Sequence, residues 1–494
     1  MNYINGVDRD QRIFLPDCLD DYIDDDNVVR VIEAFVDSLN LEVLKFIRFQ
    51  PNKTGRPPYD PKDILKLYVY GYMHRIRSSR RLEAESKRNL ELMWLLRKLT
   101  PDHKTIANFR KNNSKALKNV FRAFVKLCIE LDLYGKELAS LDGSKFKAVN
   151  SKDRNFTLDK LNDRIKWIEE KIEEYMKELD ANDRIEEIVD KEKTEEEIKQ
   201  IVKELQERKA VYQGYEKEIV DAEETQKSLT DSESRLMKAN GKMDVCYNVQ
   251  AAVDAKNKLI IDFEVTNSTS DINQLAPMGS KVKEILEVDE IAMTADCGYN
   301  SATDIANAVQ IGIVPHVAET DFDICVPVKE GEAEEITSQN NGRCIYVAER
   351  NIGICPMGNI LYPGTYTEKT GKASFYNSEA CKACNCRCIK SASGKKFQIV
   401  MAKSDFKKEY DDKGLVVKQV HIKPDEEIYK QRKSLSEHPF GTIKSSMDGR
   451  NCLTKGIEKV TGEFSLIFLA YNLKRVINIL EIKKLIERMG GKAC

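Results

Sequence analysis

The sequence predicts a multidomain α+β chain, in which a helical N-terminal part precedes an α/β core that is interrupted twice. Three observations predict it. The apolar period stays near that of a helix over residues 60–130 and switches to two after Asn240-Gly241. Strands and helices then alternate at short spacing, the pattern of parallel pairing in one sheet. Two segments, one heptad-patterned and one rich in cysteine, break that alternation, and 494 residues are too many for one ordinary core.

Along 60–130, Asp60-Pro61 opens a helix whose apolar stripe is Ile64, Leu65, Leu67, Tyr68 and Tyr72. From Arg75 to Lys111 there are eleven Lys/Arg against four Asp/Glu. Thr100-Pro101-Asp102 begins a second helix running from His103 into Lys111. Short helices, a tight turn and a basic second helix outline a helix-turn-helix. In that frame Lys104, Arg110 and Lys111 neutralise phosphates and Asn108 reads a base edge. A plain helical bundle with a solvated basic face has the same local pattern, so the rest of the chain decides.

Residues 137–150 read as a strand with Asp142 near its end and a turn at Gly143. Leu161, Ile165, Ile168, Ile172, Tyr175 and Leu179, then Ile198, Ile201, Leu205, Tyr212, Tyr215 and Ile219, follow heptad-like spacing. The polar stretch Asp180–Glu195 separates them, so two antiparallel helices are expected. A hairpin over 245–265 comes next. It leads to a helix at Ile272–Leu286, the strand Ile291–Asp296, a short helix at Ala302–Ala308 and a strand at 311–315. With both interruptions removed, a ribonuclease H-like core remains. One long amphipathic helix, Glu463–Met489, should cover a face of its sheet.

The expected domains are 1–133, helical and DNA-binding; 134–154 with 240–318 and 420–485, the catalytic core; 155–239, a helical-hairpin insertion; and 319–419, a cysteine-rich, zinc-ribbon-like β insertion. Composition excludes fibrous, membrane and disordered classes: 41% of residues are apolar, 32% charged, and no run approaches the roughly 18 apolar residues of a membrane span. The net charge of −2 says nothing of nucleic acid, because local patches decide that. Without a signal-peptide pattern at the start, cytoplasmic residence is expected.

Asp142 and Asp296 fall at the ends of two predicted strands, where an α/β sheet exposes its ligands. Hard carboxylate oxygens there suit Mg²⁺ or Mn²⁺, and two such ions stabilise the attacking and leaving oxygens of a phosphodiester together. Cys355, then Cys381 and Cys384 in a C-x-x-C pair, then Cys386 or Cys388, have the spacing of a closed tetrahedral Zn²⁺ site, with Cys388 chosen as fourth ligand. Reduced thiols in a loop are the alternative.

Four stretches carry a resemblance: Leu141-Asp142-Gly143-Ser144-Lys145-Phe146, Tyr247-Asn248-Val249-Gln250, Ala295-Asp296-Cys297-Gly298-Tyr299, and Glu437-His438-Pro439-Phe440-Gly441-Thr442-Ile443-Lys444. Together they resemble the insertion-sequence transposases with a DDE catalytic triad, over nearly the whole chain. The resemblance implies Asp142, Asp296 and Glu437 as catalytic and metal-binding residues. It also implies two Mg²⁺ or Mn²⁺ ions per site and double-stranded DNA, both element ends and target, as partner. A homodimer or larger assembly in the synaptic complex is expected, with no membrane. The implied reaction is hydrolysis at the element's end, then attack of the freed 3′-hydroxyl on target DNA. A domesticated DNA-binding relative without activity, and a ribonuclease H-like nuclease without strand transfer, are the competing functions.

The family's Tyr/Arg/Glu/Lys signature maps onto Tyr429, Arg432, Glu437 and Lys444, the cations holding phosphates. On an ideal helix Lys433 lies about 40° from Glu437 and Arg432 about 140°, so Lys433 competes with Arg432 for that role. Pro439 marks a kink or a fresh helix start. Asp271 is expected to be a helix N-cap.

Overall fold

A computed structural model describes residues 18–47, 58–182, 195–222, 224–239, 241–333, 336, 342–384 and 396–489. The chain is a mixed α/β molecule of several parts. Its first part is helical: α1 (Val28–Ser38), α2 (Pro61–Met73), α3 (Ser79–Ser86), α4 (Leu90–Leu95), α5 (His103–Asn112) and α6 (Ser114–Glu130). The caps are those expected, with Asp60 accepting from the Lys62 amide and Asp102 from the amides of Lys104 and Thr105. Helix α2 is buried from Asp63 to Met73, which makes it a central helix rather than a one-sided surface helix.

The main sheet begins with β1 (Leu138–Lys147). This strand runs straight through Asp142 and Gly143, where a strand end and turn were expected. The reason is pairing, since Asp142 and Gly143 sit opposite Ala251 and Gln250 of a long neighbour. Between β1 and that neighbour come β2 (Asn155–Thr157), α7 (Leu158–Asn182), α8 (Glu195–Asp221), β3 (Gln226–Ser228) and β4 (Arg235–Ala239). Helices α7 and α8 are antiparallel: Arg164 meets Tyr212 while Glu169 meets Lys209 further along. Leu161, Ile168, Tyr212 and Ile219 form a small core of their own with Phe156. Most of the expected Asp180–Glu195 connection lies outside the described residues, as does Asn240.

The sheet continues with β5 (Lys242–Asp254), β6 (Ile260–Thr266), α9 (Leu275–Leu286), β7 (Ile291–Ala295), α10 (Ala302–Gln310) and β8 (Ile313–Val317). Strand order is β4-β5-β1-β7-β8, with β6 also on β5. Strand β5 is antiparallel to β1 and β6, whereas β7 is parallel to β1 and to β8.

Strand β9 (Phe322–Val328) pairs with β15 (Val416–Ile422), and between them lies a second sheet. Its strands are β10 (Ile345–Val347), β11 (Ile352–Ile354), β12 (Ile360–Thr367), β13 (Lys372–Tyr376) and β14 (Phe397–Val400), with α11 (Ser378–Ala383) before the last. The chain then forms α12 (Glu426–Lys430), a π-turn at Lys433–Glu437, α13 (His438–Ser446), α14 (Ile457–Leu480) and α15 (Ile482–Arg488). The terminal helix is therefore two helices, broken at Glu481, whose φ is 63°. Nor is α14 amphipathic, because every residue from Gly462 to Leu473 is buried. It packs on α2 and α6 as well as on β6, so helices and sheet share one apolar core. No helix among the described residues is long and apolar enough to cross a membrane.

Candidate active site

Side chains alternate along β1, so Asp142, Ser144 and Phe146 share one face while Gly143, Lys145 and Lys147 share the other. Parallel β7 sets the second acid: Ser140 lies opposite Thr294, and Asp142 and Asp296 each follow two residues later. The two carboxylates therefore leave adjacent strands at the same level. Each is tied to the backbone through one oxygen, Asp142 Oδ1 accepting from the Gly143 amide at 3.0 Å and Asp296 Oδ1 from the Gly298 amide at 2.8 Å. Burial pushes the Asp142 carboxyl up to about 6, the charge of Asp296 adds to this, and Arg432 opposes it.

The C-terminal helices supply cations to the same face. Lys444 Nζ donates to Ser144 Oγ at 2.7 Å and to the Lys145 carbonyl at 3.2 Å, and sits over the Phe146 ring. Burial lowers its pKa, and the field of Asp142 works the other way. Ahead of it the π-turn buries Leu435 and Ser436 against β1 and β5. In a turn closed i→i+5, about five residues rather than four bring a side chain back to the same face. That shifts Arg432 towards the face of Glu437, in place of the Lys433 that an ideal helix puts there. Arg432, rather than Lys433, is the π-turn cation whose charge reaches Asp142; it also stacks near Tyr429, while Lys433 is exposed. Pro439 stands in the first turn of α13, where the helical backbone runs on from the π-turn through Glu437 and His438 without a break, so it marks no fresh start.

Glu437 lies at the end of the π-turn and is exposed. Among the described residues no three His, Cys, Asp or Glu side chains are grouped as a metal cage. The structure thus brings Asp142, Asp296, Arg432 and Lys444 together and leaves Glu437 outside that group. Two carboxylates, each with an oxygen to spare, still fit Mg²⁺, which keeps several waters and takes one or two carboxylates.

Asp271 is not a helix cap. Helix α9 starts after Gln274 with no side-chain cap, and the amides of Leu275 and Ala276 donate to buried Asp304 instead. The Asp271 carboxylate turns to the sheet and accepts from Lys145, Asn248 and Gln250. A signal for this was present in the sequence: two amides at period two in the otherwise apolar strand β5 demand a buried partner.

Two family models match the chain. "Transposase domain (DUF772)" covers residues 17–112, and "Transposase DDE domain" covers residues 354–477, a span that holds Tyr429, Arg432, Glu437 and Lys444. The chain belongs to the DDE-class insertion-sequence transposases. Asp142 and Asp296 lie outside both matched segments. No curated protein matches the transposase. Among solved structures, a piggyBac transposase synaptic complex with hairpin DNA is similar at a TM-score of 0.30 and 10% identity, covering 94% of this chain and 74% of that one. A likeness so low carries no argument.

In the helical part of the transposase, Lys104, Asn108 and Lys111 are exposed on α5 at helical spacing. Arg110 is not available to a phosphate. It is buried, donates to Tyr72 Oη at 2.8 Å and lies over the Tyr68 ring, because the apolar face of α5 turns it inward against α2. Of the cysteines, Cys355 and Cys344 are buried in one small apolar cluster, with Cys381 packed against it, and Cys384 is half-buried. Cys386 and Cys388 lie outside the described residues.

Proposed function

We propose that this transposase binds the inverted-repeat ends of its mobile element and catalyses metal-dependent DNA strand cleavage and strand transfer. The observation that carries the reading is the register of β1 and β7, which sets Asp142 and Asp296 side by side at one level of the sheet. The strand order β6-β5-β1-β7-β8, in which β5 alone runs against the other four, supports a ribonuclease H-like core formed by 134–154, 240–318 and 420–485. Residues 1–133 then form the DNA-binding part, 155–239 the helical insertion and 319–419 the cysteine-rich one.

Asp142 and Asp296 would hold Mg²⁺ or Mn²⁺, with Glu437 joining from the π-turn. Bound metal supplies an activated water and neutralises charge on the phosphate. The chain's own part is positioning: Lys444, fixed on Ser144, and Arg432 hold phosphate oxygens on the Asp142 face as charge spreads over them. Lys104, Lys111 and Asn108 face DNA from α5. The protein acts as a dimer or larger assembly, since two element ends must be held at once.

The test is incubation with Mg²⁺ or Mn²⁺ and duplexes carrying the flanking inverted repeats, comparing the wild type with Asp142→Ala, Asp296→Ala and Glu437→Ala. Cutting and joining by the wild type alone is expected. Persistent cutting by the alanine variants defeats the assignment of these acids, and no cutting by the wild type defeats the reading and leaves an inactive DNA-binding relative. A structural Zn²⁺ held by Cys355, Cys381, Cys384 and Cys388 is part of the proposal, supported by their spacing and by the packing of Cys381 against the cluster of Cys355. Metal analysis of purified wild type and Cys355→Ser checks it, and equal zinc content in both would rule it out.

A further inference from the structure

The residues of the three sheet motifs that bear no catalytic acid converge on one side chain. Asp271 Oδ1 accepts from Lys145 Nζ at 2.8 Å, Asn248 Nδ2 at 2.7 Å and Gln250 Nε2 at 2.7 Å, and Oδ2 is 3.0 Å from the same lysine. Gln250 is steadied in turn by the Tyr299 hydroxyl, which donates to its Oε1. Asn248 and Gln250 are fully buried, so their amides aim at Asp271 with no water to compete.

The same carboxylate lies between the two segments that carry the acids. A Cβ on Gly143 would stand 2.6 Å from Asp271 Oδ1, and one on Gly298 would stand 3.6 Å from Oδ2. Lys145 is on the face of β1 opposite Ser144 and Lys444, three residues from Asp142. Its side chain keeps 15% exposure and that of Asp271 19%, so the pair borders solvent at the edge of the site. A lysine on its four-carbon stem samples many rotamers, and fixing it on a ligand costs entropy unless something has fixed it beforehand.

We propose that Asp271 is a positioning residue: it holds Lys145 in place as a phosphate-contacting cation on the second face of β1, so that a DNA strand reaching Asp142 is gripped from both sides. Lys444 supplies the grip on one face and Lys145 on the other. The proposal rests on the reading of Asp142 and Asp296 as the catalytic acids. Asn248, Gln250 and Tyr299 act behind Asp271, keeping its carboxylate from turning.

The full-length protein with Mn²⁺ and a terminal-repeat duplex tests this through Asp271→Asn, Lys145→Gln, the double variant and Asp142→Asn. Losses in kcat/KM of about 10- to 100-fold are expected for each of the first two, the range of outer-shell changes around metal sites. The double variant should lose no more than Lys145→Gln alone, because Asp271 acts through Lys145; losses that multiply would show that the two act separately. Wild-type cleavage by either single variant, or multiplied losses in the double, overturns the proposal. Lys145→Gln, altering a side chain that borders solvent, remains decisive if Asp271→Asn folds poorly. Should Asp142→Asn cut at the wild-type rate, the catalytic reading itself fails; an inert Asp142→Asn beside an active Asp271→Asn removes only the role given to Asp271.

Discussion

Arg77, in the helical part, and Glu463, in α14, form an ion pair in which the glutamate is fully buried and the arginine side chain is 6% exposed. Arg77 also donates to the carbonyls of Asp448 and Asn451, and Glu463 accepts from the amides of Leu453 and Thr454 and from the Thr454 hydroxyl. The pair thus holds the loop between α13 and α14, and that loop adds to the end of β1 where the Cys452 amide donates to the Lys147 carbonyl. Removing one member of such a pair leaves a buried charge without a partner, which costs about 3–5 kcal/mol. Arg77→Ala should therefore lower the unfolding free energy in guanidinium by that amount. An unchanged midpoint would show that the pair is dispensable.

Gly143 is required by close approach rather than by its φ. A methyl group there would meet the Gln250 amide nitrogen at 2.3 Å and Asp271 at 2.6 Å, both held by a buried network. Either β1 shifts or the network opens, and both displace Asp142. Gly143→Ala should keep the fold, as judged by circular dichroism, and lose strand cleavage by about 100-fold, the cost of a displacement near 1 Å at a reacting group. Cleavage at the wild-type rate would mean that the network gives way without moving Asp142.

On α5 the exposed and buried cations should behave differently. Lys104→Ala and Lys111→Ala should weaken binding to any duplex and each lower the slope of log K against log salt by about 0.9. Arg110→Ala should leave that slope alone and lower the melting temperature, since its guanidinium supports Tyr72 and Tyr68 inside the helical core. A reduced salt slope for Arg110→Ala would return it to the DNA surface.

Much of this arrangement was readable from local patterns. The helices from Asp60 onward, the heptad helices, the hairpin and the strand of Asp296 all follow from period and capping, which are local properties. Reading failed where a partner far away in sequence decides. Gly143 reads as a turn until Gln250 is set opposite it. Arg110 reads as a surface cation until α2 covers it, and Asp271 reads as a cap until the amides of β5 claim it. The π-turn before Glu437 was hidden for another reason: one extra residue per turn changes which cation faces the site without leaving a mark in composition.

The carboxyl of Asp142 gives the clearest dependence on pH. Burial first, and then Asp296, raise it from 3.8 to about 6. An acid whose folded pKa lies above its unfolded value binds its proton more tightly when folded, so its contribution to stability is present below the unfolded pKa and is lost as pH rises through the folded one. In metal-free protein the melting temperature should therefore carry a falling component between about pH 4 and pH 6, and Asp142→Asn, which cannot ionise, should lack it. Divalent cation reverses the sense. Below about pH 6 a metal ion has to displace the proton, so apparent Mn²⁺ affinity should climb with pH up to that value and level off above it. Thermal melts without metal and calorimetric Mn²⁺ titrations of wild type and Asp142→Asn at three pH values measure the two effects. A wild-type affinity independent of pH across this range would mean that Asp142 is not the group that metal and proton share.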